Sequence, residues 1–241
     1  MSLPAHELRW IRERARNERE LNELIARREG GEPLQYVVAR WGFRTLELYV
    51  DRRVLIPRPE TEVVAGAVID LDPQNVVVDL GTGSGAIACA VAAETNAARI
   101  IATDASPDAL DVARANVAGL GQPALRVEIH EGEWFSAVPD DVRGAVEVIV
   151  SNPPYVAEHE ELPSEVIDWE PRGALIAGPT GLESIAHIVR HAPEWLAPGG
   201  ALVLEIAPHQ RDEVLAMCTA FARCEVRRDL TGRDRVLVAR G

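Results

Sequence analysis

The feature that most constrains the fold is an alternation of short β-type segments with helical segments, running from Asn75 to the C-terminus. Apolar, β-branched runs predict strands at 76–80, 99–103, 125–130, 146–151, 201–206, 224–228 and 235–239. Helical periodicity predicts helices between them at 86–94, 107–119, 181–196 and 210–220. Such alternation gives right-handed crossovers and a largely parallel sheet. We therefore predict an α/β fold with a doubly wound, mostly parallel seven-stranded sheet that ends in an antiparallel hairpin.

The residues that precede this alternation predict smaller elements. Apolar residues at helical spacing among Arg and Glu predict one N-terminal helix over 5–28. Two β-type runs within 35–50 predict a β-hairpin. Pro57 and Pro59 impose an extended segment before a helix that should begin near Glu60. The predicted divisions of the chain are a short N-terminal helix (1–30), a β-hairpin with a linker (31–60) and a main domain (61–241).

Charge and hydropathy exclude several classes of protein. The formal net charge is −13, which argues against a large nucleic acid as substrate, because phosphate backbones attract basic surfaces. All 25 basic residues are arginine, so a P-loop NTPase and lysine Schiff-base chemistry are both excluded. The longest apolar run, 86–93, is too short to span a bilayer, and the N-terminus lacks the layout of a signal peptide. We expect a cytoplasmic protein with no membrane contact and no direct nucleic-acid partner.

The cysteines and histidines give no metal signature. Cys89, Cys218 and Cys224 are odd in number and lack C-x-x-C spacing, so neither a disulfide framework nor a zinc site is predicted. Cys89 falls in an apolar helical run, which favours buried packing. His187 and His191 are four residues apart on a predicted helix, as zinc ligands often are, but no third ligand stands out.

A glycine-rich loop follows the first strand of the alternation and opens a helix. Its residues are Gly81, Thr82, Gly83, Ser84 and Gly85. Glycines let a backbone approach a ligand closely, and Asp104, at the end of the next strand, is placed to accept hydrogen bonds from ribose hydroxyls. These features suit NAD and S-adenosylmethionine equally. Asp79 favours S-adenosylmethionine, because a carboxylate attracts a sulfonium or amino cation and repels a pyrophosphate.

The strongest motif in the chain is Asn152-Pro153-Pro154-Tyr155, at the predicted carboxyl end of a parallel strand, where α/β sheets bind ligands. A planar NH2 group has two donors, and the Asn152 side-chain oxygen and the Pro153 carbonyl can each accept one. The prolines stiffen the loop, and Tyr155 offers an aromatic face for stacking. The motif therefore predicts a clamp for a planar amino or amide group, with all four residues catalytic and substrate-binding.

The chemistry of an amide acceptor explains why such a clamp suffices. An amide nitrogen is a poor nucleophile because its lone pair is delocalised into the carbonyl. Two accepted hydrogen bonds push electron density back onto nitrogen and aim it at the methyl carbon. Displacement then requires mainly positioning, which is worth up to roughly 7–11 kcal/mol in favourable cases. No strong general base is needed before methyl transfer, and the sequence shows no obvious one.

With these motifs in hand, the chain resembles the PrmC/HemK family, which methylates the glutamine of the Gly-Gly-Gln motif in class 1 peptide chain release factors. The resemblance covers about 32–240 and rests on motifs at 32–36, 55–62, 79–86, 134–135, 152–155 and 170–172. It implies a Rossmann-like class I methyltransferase domain, with S-adenosylmethionine as cofactor, S-adenosylhomocysteine as product and no metal. It implies a class 1 release factor as protein substrate. Residues 1–30 would be a shortened form of the family's substrate-docking region.

The resemblance also implies roles for individual residues. The glycine loop would wrap the methionine part of the cofactor, Asp104 would hold the ribose and Trp134 would lie by the adenine. From its residue type alone, Trp134 also fits a core aromatic. Asn152 would touch both cofactor and substrate, and Pro153 to Tyr155 would complete the glutamine pocket. Arg58 and the residues from Glu60 to Glu62 would help to close the site.

Several interpretations stay open. The segment 158–170 is strongly acidic and belongs to a long predicted loop over 152–180, so it is either a lid that attracts a basic protein segment or a solvated loop. The same clamp could methylate an exocyclic amino group of a nucleic-acid base or a small-molecule amide. The chain could also be a non-catalytic cofactor-binding module or, with weaker support, a dehydrogenase.

Overall fold

The computed structural model describes residues 3–241, and its elements are as follows. The α-helices are α1 (Ala5–Arg14), α2 (Glu18–Glu29), α3 (Leu34–Val38), α4 (Pro59–Ile69), α5 (Ala86–Glu94), α6 (Pro107–Ala118), α7 (Ser164–Ile167), α8 (Glu183–His191) and α9 (Arg211–Met217). The strands are β1 (Trp41–Phe43), β2 (Leu46–Leu48), β3 (Val76–Leu80), β4 (Arg99–Asp104), β5 (Val127–Glu131), β6 (Val146–Ser151), β7 (Val156–Ala157), β8 (Ile176–Gly178), β9 (Leu196–Glu205), β10 (Arg223–Arg228) and β11 (Asp234–Arg240).

The central sheet has seven strands in the order β10-β11-β9-β6-β3-β4-β5. Strands β9, β6, β3, β4 and β5 run parallel, whereas β11 is antiparallel to both of its neighbours. The prediction of a doubly wound, mostly parallel sheet with a terminal antiparallel hairpin is therefore confirmed. No helix among residues 3–241 is long and apolar enough to cross a membrane.

The strands are apolar on both faces because helices cover both sides of the sheet. On β3, Val78 and Leu80 point into a core cluster that includes Ile188 of α8. The intervening Val77 points to the opposite cluster, which includes Val64 of α4 and Val91 of α5. Because successive side chains of a strand point to opposite faces of the sheet, each strand contributes to two separate apolar layers.

The direction of winding reverses between β3 and β6. From β3 the chain adds β4 and β5 on one side, and then crosses back to place β6 on the other side of β3. The two strands are in parallel register, with Asp79 opposite Val150. Ser151 Oγ donates a 2.6 Å hydrogen bond to the carbonyl of Leu80, which ties their ends together. The loops that leave these strands consequently begin side by side.

The prediction of one N-terminal helix over 5–28 is wrong. The chain forms α1 and α2, separated by extended residues at Ala15 and Asn17. Asn17 caps α2, because its side-chain oxygen accepts a 2.9 Å hydrogen bond from the Glu20 N–H. The helices fold back on one another, and Glu7 of α1 forms an ion pair with Arg28 of α2. The first helix therefore ends at the extended Ala15, and the N-cap at Asn17 starts the second helix.

The predicted hairpin over 35–50 is only partly right. Strands β1 and β2 do form a short antiparallel pair within this range. Its first part is a helix instead, because α3 contains the β-type residues Tyr36, Val37 and Val38. All three are buried, and the Tyr36 hydroxyl donates a 2.6 Å hydrogen bond to the Val54 carbonyl. Tertiary burial here outweighs β-propensity.

The segment predicted as a long loop over 152–180 carries structure of its own. It contains the short helix α7 and the parallel pair β7–β8, in which Val156 lies opposite Ile176. Elsewhere the predicted elements of the main domain are present with shifted ends. The two largest shifts are equal: β9 begins at Leu196 rather than at residue 201, and α8 ends at His191 rather than at residue 196.

A matched pair of leucines tests the assignment of the core. Leu202 is fully buried in β9, whereas Leu230 is 96% exposed at the tip of the β10–β11 turn. We expect Leu202→Ala to lower the free energy of unfolding by about 2–5 kcal/mol, because it removes buried contacts and leaves a cavity. Leu230→Ala should change it by no more than about 0.5 kcal/mol. Chemical denaturation followed by circular dichroism measures both, and equal losses would contradict the core assignment.

Candidate active site

A cavity of about 600 Å³ opens at the carboxyl ends of β3, β4 and β6. The glycine loop, Asp104, Trp134 and Asn152 all line it. Its remaining wall comes from the segments around Pro57 and Pro171 to Ala177. Residues that are far apart in sequence therefore meet where the sheet reverses its winding, as the general rule for open α/β sheets predicts.

The glycine loop turns directly from β3 into α5. Its three glycines adopt left-handed backbone angles, with φ of 69° at Gly81 and 80° at Gly85. The loop is tied to the next strand, since the Thr82 N–H donates a 2.8 Å hydrogen bond to the Thr103 carbonyl. A Cβ on Gly81 would lie 3.5 Å from the Trp134 ring. The loop backbone therefore faces the cavity with little side-chain cover.

Asp79 lies beneath this loop and is not part of the cavity wall. It is 1% exposed, and its Oδ2 accepts hydrogen bonds from the Thr82 hydroxyl at 2.6 Å and the Ala88 N–H at 3.1 Å. Its Oδ1 is buried and has no hydrogen-bond partner within residues 3–241. Burial raises the pKa of Asp79 to about 6. A buried carboxylate with one unpaired oxygen favours a positive charge nearby.

Asp104 reaches the cavity from the end of β4. Its Oδ2 accepts a 2.8 Å hydrogen bond from the Gly83 N–H, and its Oδ1 accepts one of 2.9 Å from the Ser106 N–H. Burial raises the pKa of Asp104, while these backbone donors act in the opposite direction. Each oxygen keeps a further lone pair for a ligand hydroxyl. Trp134 borders the same cavity from a left-handed backbone position, with φ of 47°.

The Asn-Pro-Pro-Tyr motif leaves β6 beside the glycine loop. Asn152 and Pro154 line the cavity, whereas Pro153 is buried. The Asn152 amide Nδ2 donates a 3.1 Å hydrogen bond to Thr61 Oγ1. Tyr155 lies outside the cavity wall, and its hydroxyl donates a 3.2 Å hydrogen bond to Glu205. Stacking of Tyr155 on a substrate, which the sequence suggested, stays a prediction.

The Tyr155 backbone is supported from behind. The buried Gln210 donates from its Nε2 to the carbonyls of Tyr155 and Gly181, each at 3.0 Å. Gly181 has φ of 80°, and a Cβ there would stand 2.7 Å from the Tyr155 carbonyl oxygen. Only glycine fits at this position without moving the motif.

Arg58 and Glu60 stand at the edge of the site rather than in its wall, whereas the neighbouring Pro57 and Thr61 line the cavity. Arg58 forms an ion pair with Glu170, whose side chain is almost fully buried. Glu170 also accepts a 3.0 Å hydrogen bond from the Ile56 N–H. The proline-rich segment is therefore fixed to the end of the acidic segment.

Sequence reasoning missed two residues of this arrangement, namely Glu205 and Gln210. Thr61 was expected only to help close the site. Glu205 ends β9, the strand that pairs with β6 in the sheet. The pairing of β9 with β6 would have pointed to Glu205, since it places the two strand ends together. Among residues 3–241 no group of three or more His, Cys, Asp or Glu side chains could hold a metal. His187 and His191 contact one another, with ring centroids 4.6 Å apart.

The chain is similar to known methyltransferases in both sequence and structure. The family model of the methyltransferase small domain matches residues 62–168. The release factor glutamine methyltransferase of Cereibacter sphaeroides is 44% identical over 220 residues, which cover 90% of this chain and 77% of that protein. The one of Streptomyces coelicolor is 41% identical over 228 residues, which cover 90% and 79%. The solved structure of a Pyrococcus furiosus methyltransferase, 17% identical, shares the fold with a TM-score of 0.62 over 82% of this chain and 89% of that chain. The chain therefore belongs, as its motifs predicted, to the family of release factor glutamine methyltransferases.

Proposed function

We propose that this chain methylates the side-chain amide nitrogen of the Gly-Gly-Gln glutamine in class 1 release factors. One observation carries the proposal. The Asn152 amide stands beside the glycine loop, at one edge of a parallel sheet, in a chain 44% identical to a release factor glutamine methyltransferase. A methyl donor and a planar amide can thus meet at a single point.

The cavity suits S-adenosylmethionine as the methyl donor. Its volume of about 600 Å³ falls within the usual range for small-molecule sites. The unpaired oxygen of Asp79 provides negative charge under the loop, and Asp104 keeps acceptor capacity for ribose hydroxyls. When bound, S-adenosylmethionine supplies an electrophilic methyl group and leaves as S-adenosylhomocysteine. Trp134 offers an aromatic face for a planar adenine.

The chain's own residues then act on the acceptor. Asn152 Oδ1 and the Pro153 carbonyl each accept a hydrogen bond from one N–H group of the glutamine amide, which concentrates electron density on the amide nitrogen. Pro153 and Pro154 hold these acceptors rigidly, so little reorganisation is needed when the new N–C bond forms. The methylated nitrogen is acidic, and its extra proton passes to solvent without a strong base.

Electrostatics favour a protein substrate over a nucleic acid. The formal net charge is −13, and the side chains of Glu158, Glu160, Glu161 and Glu165 are exposed in the segment that follows the Asn-Pro-Pro-Tyr motif. Such a surface repels phosphate and attracts basic protein segments. We therefore favour the release factor over a nucleic-acid base as acceptor. A substrate that acts in translation places the enzyme in the cytoplasm.

The buried carboxyl of Asp79 makes cofactor affinity depend on pH. Its pKa of about 6 means that Asp79 ionises as the pH rises, and the ionised form attracts the cationic cofactor. We expect affinity for S-adenosylmethionine to rise with pH through about 6, by at most about tenfold per unit below it. Calorimetric titrations from about pH 5 to about pH 7.5 measure this. Asp79→Asn should bind more weakly and with a flatter profile, and an unchanged slope in that variant would refute the role of Asp79.

Intact mass spectrometry of an unmethylated class 1 release factor tests the activity itself. After incubation with this protein and S-adenosylmethionine, the factor should gain the mass of one methylene group on its Gly-Gly-Gln glutamine. We expect Asn152→Ala to reduce the rate by about 100-fold or more, because the acceptor for the amide is lost. Asn96→Ala, at an exposed position, is the matched control and should leave the rate unchanged. Cofactor binding without any mass gain would contradict the proposed substrate.

A further inference from the structure

A chain of hydrogen bonds holds the Asn152 side chain from behind. It starts at Glu205, the last residue of β9, which is 1% exposed. Glu205 Oε2 accepts a 2.7 Å hydrogen bond from the Thr61 hydroxyl, and its Oε1 accepts the one from Tyr155. Thr61 Oγ1 in turn accepts the 3.1 Å hydrogen bond from Asn152 Nδ2. The donors therefore all point in one direction, from the amide to the carboxylate.

This direction fixes which end of the Asn152 amide faces the cavity. A hydroxyl has a single hydrogen to donate. Thr61 gives its hydrogen to Glu205, so towards Asn152 it can only accept, and the amide must present its NH2 to Thr61. Asn152 Oδ1 is then left for the cavity, and no residue within 3–241 donates a hydrogen bond to it. The orientation follows from the network, which is the sound basis for assigning an amide.

We propose that Thr61 and Glu205 are positioning residues that keep the Asn152 oxygen turned towards the substrate, so that the site accepts a glutamine amide and rejects a carboxylate. This inference rests on the proposed function. The two ends of an asparagine amide have nearly the same shape, so packing alone barely distinguishes them. A flipped amide would present two donors to the NH2 of glutamine and would favour the two acceptor oxygens of glutamate.

The chain of hydrogen bonds keeps this direction only while Glu205 is ionised. Its surroundings include Thr61 and Glu60 from α4, Tyr155 from the loop after β6, and Arg235 from β11. Burial raises the pKa of Glu205, although Thr61, Arg235 and Tyr155 oppose this shift. A protonated Glu205 could donate a hydrogen bond to Thr61, and the Thr61 hydroxyl could then donate to Asn152 instead of accepting from it. Turnover should therefore fall as the pH drops through the raised pKa.

Two substitutions at Thr61 separate positioning from bulk. Thr61→Val keeps the shape and removes the hydroxyl, whereas Thr61→Ser keeps the hydroxyl. We expect Thr61→Val to lower kcat on the release factor by about 10- to 100-fold, and Thr61→Ser to restore most of it. The valine variant should also lose preference between the natural factor and one with glutamate in the Gly-Gly-Gln motif, measured as the inhibition constant of the glutamate form relative to KM.

Glu205→Gln supplies the pH test. The variant is neutral, similar in shape and able to donate to Thr61, so both amide orientations become available. We expect a reduced kcat that no longer declines at acidic pH, whereas the wild-type kcat should decline there. Wild-type kcat and wild-type glutamine preference in Thr61→Val would overturn the proposal, and so would an unchanged acid limb in Glu205→Gln.

A readout without substrate separates this inference from the proposed function. Side-chain NH2 signals of Asn152 in the ¹⁵N-labelled protein, identified by their loss in Asn152→Ala, report hydrogen exchange at Nδ2. The bond to Thr61 should slow exchange in the wild type, and Thr61→Val should abolish that protection. Protection without methylation of the release factor would reject the substrate and keep the positioning role. Equal exchange in both proteins would reject the positioning role.

Discussion

The parallel register between β3 and β6 is the constraint on which the site depends. Because Asp79 lies opposite Val150, the glycine loop and the Asn-Pro-Pro-Tyr motif begin at the same height on neighbouring strands. The Ser151 hydroxyl locks this register at the ends of the strands. A slip of one residue would turn the side chains of β6 to the opposite face and move Asn152 away from the glycine loop. Apolar residues on both faces of the sheet oppose such a slip, since each belongs to its own packed cluster.

Around this edge, buried carboxylates hold the loop segments in place. Asp79 holds the glycine loop through Thr82 and the start of α5 through Ala88. Glu170 holds the proline-rich segment through Ile56 and Arg58, and Glu205 holds Thr61 and Tyr155. Each is at most 5% exposed and accepts donors from two places in the chain. Burying a carboxylate is unfavourable unless it accepts hydrogen bonds. Each loop is therefore held in the position where its N–H or hydroxyl groups can donate to the carboxylate.

The local sequence pattern was sufficient to predict the sheet and the two principal motifs. Strand periodicity, the glycine loop and the Asn-Pro-Pro-Tyr motif are each contained in a short stretch of consecutive residues. It failed where distant residues decide the outcome. Residues 36–38 form a helix because burial from all sides outweighs their β-propensity. The bond between Thr61 and Glu205 joins residues 144 positions apart, so no local signal reveals it. The break at Asn17 is different, because asparagine is a preferred N-cap residue and this signal lies in the local sequence.

The acidic segment after the active-site motif is anchored at both ends, by the β7–β8 pair at one end and by Glu170 at the other. Between these anchors most side chains are exposed and lie outside the two clusters that flank the sheet, although Trp169 packs against a further cluster that contains Tyr36 and Ile56. Substitutions at the exposed positions of this segment would therefore leave the packing of those clusters unchanged. The architecture thus separates a cleft whose loops are fixed by buried carboxylates from an adjoining surface whose chemistry can change without altering that framework.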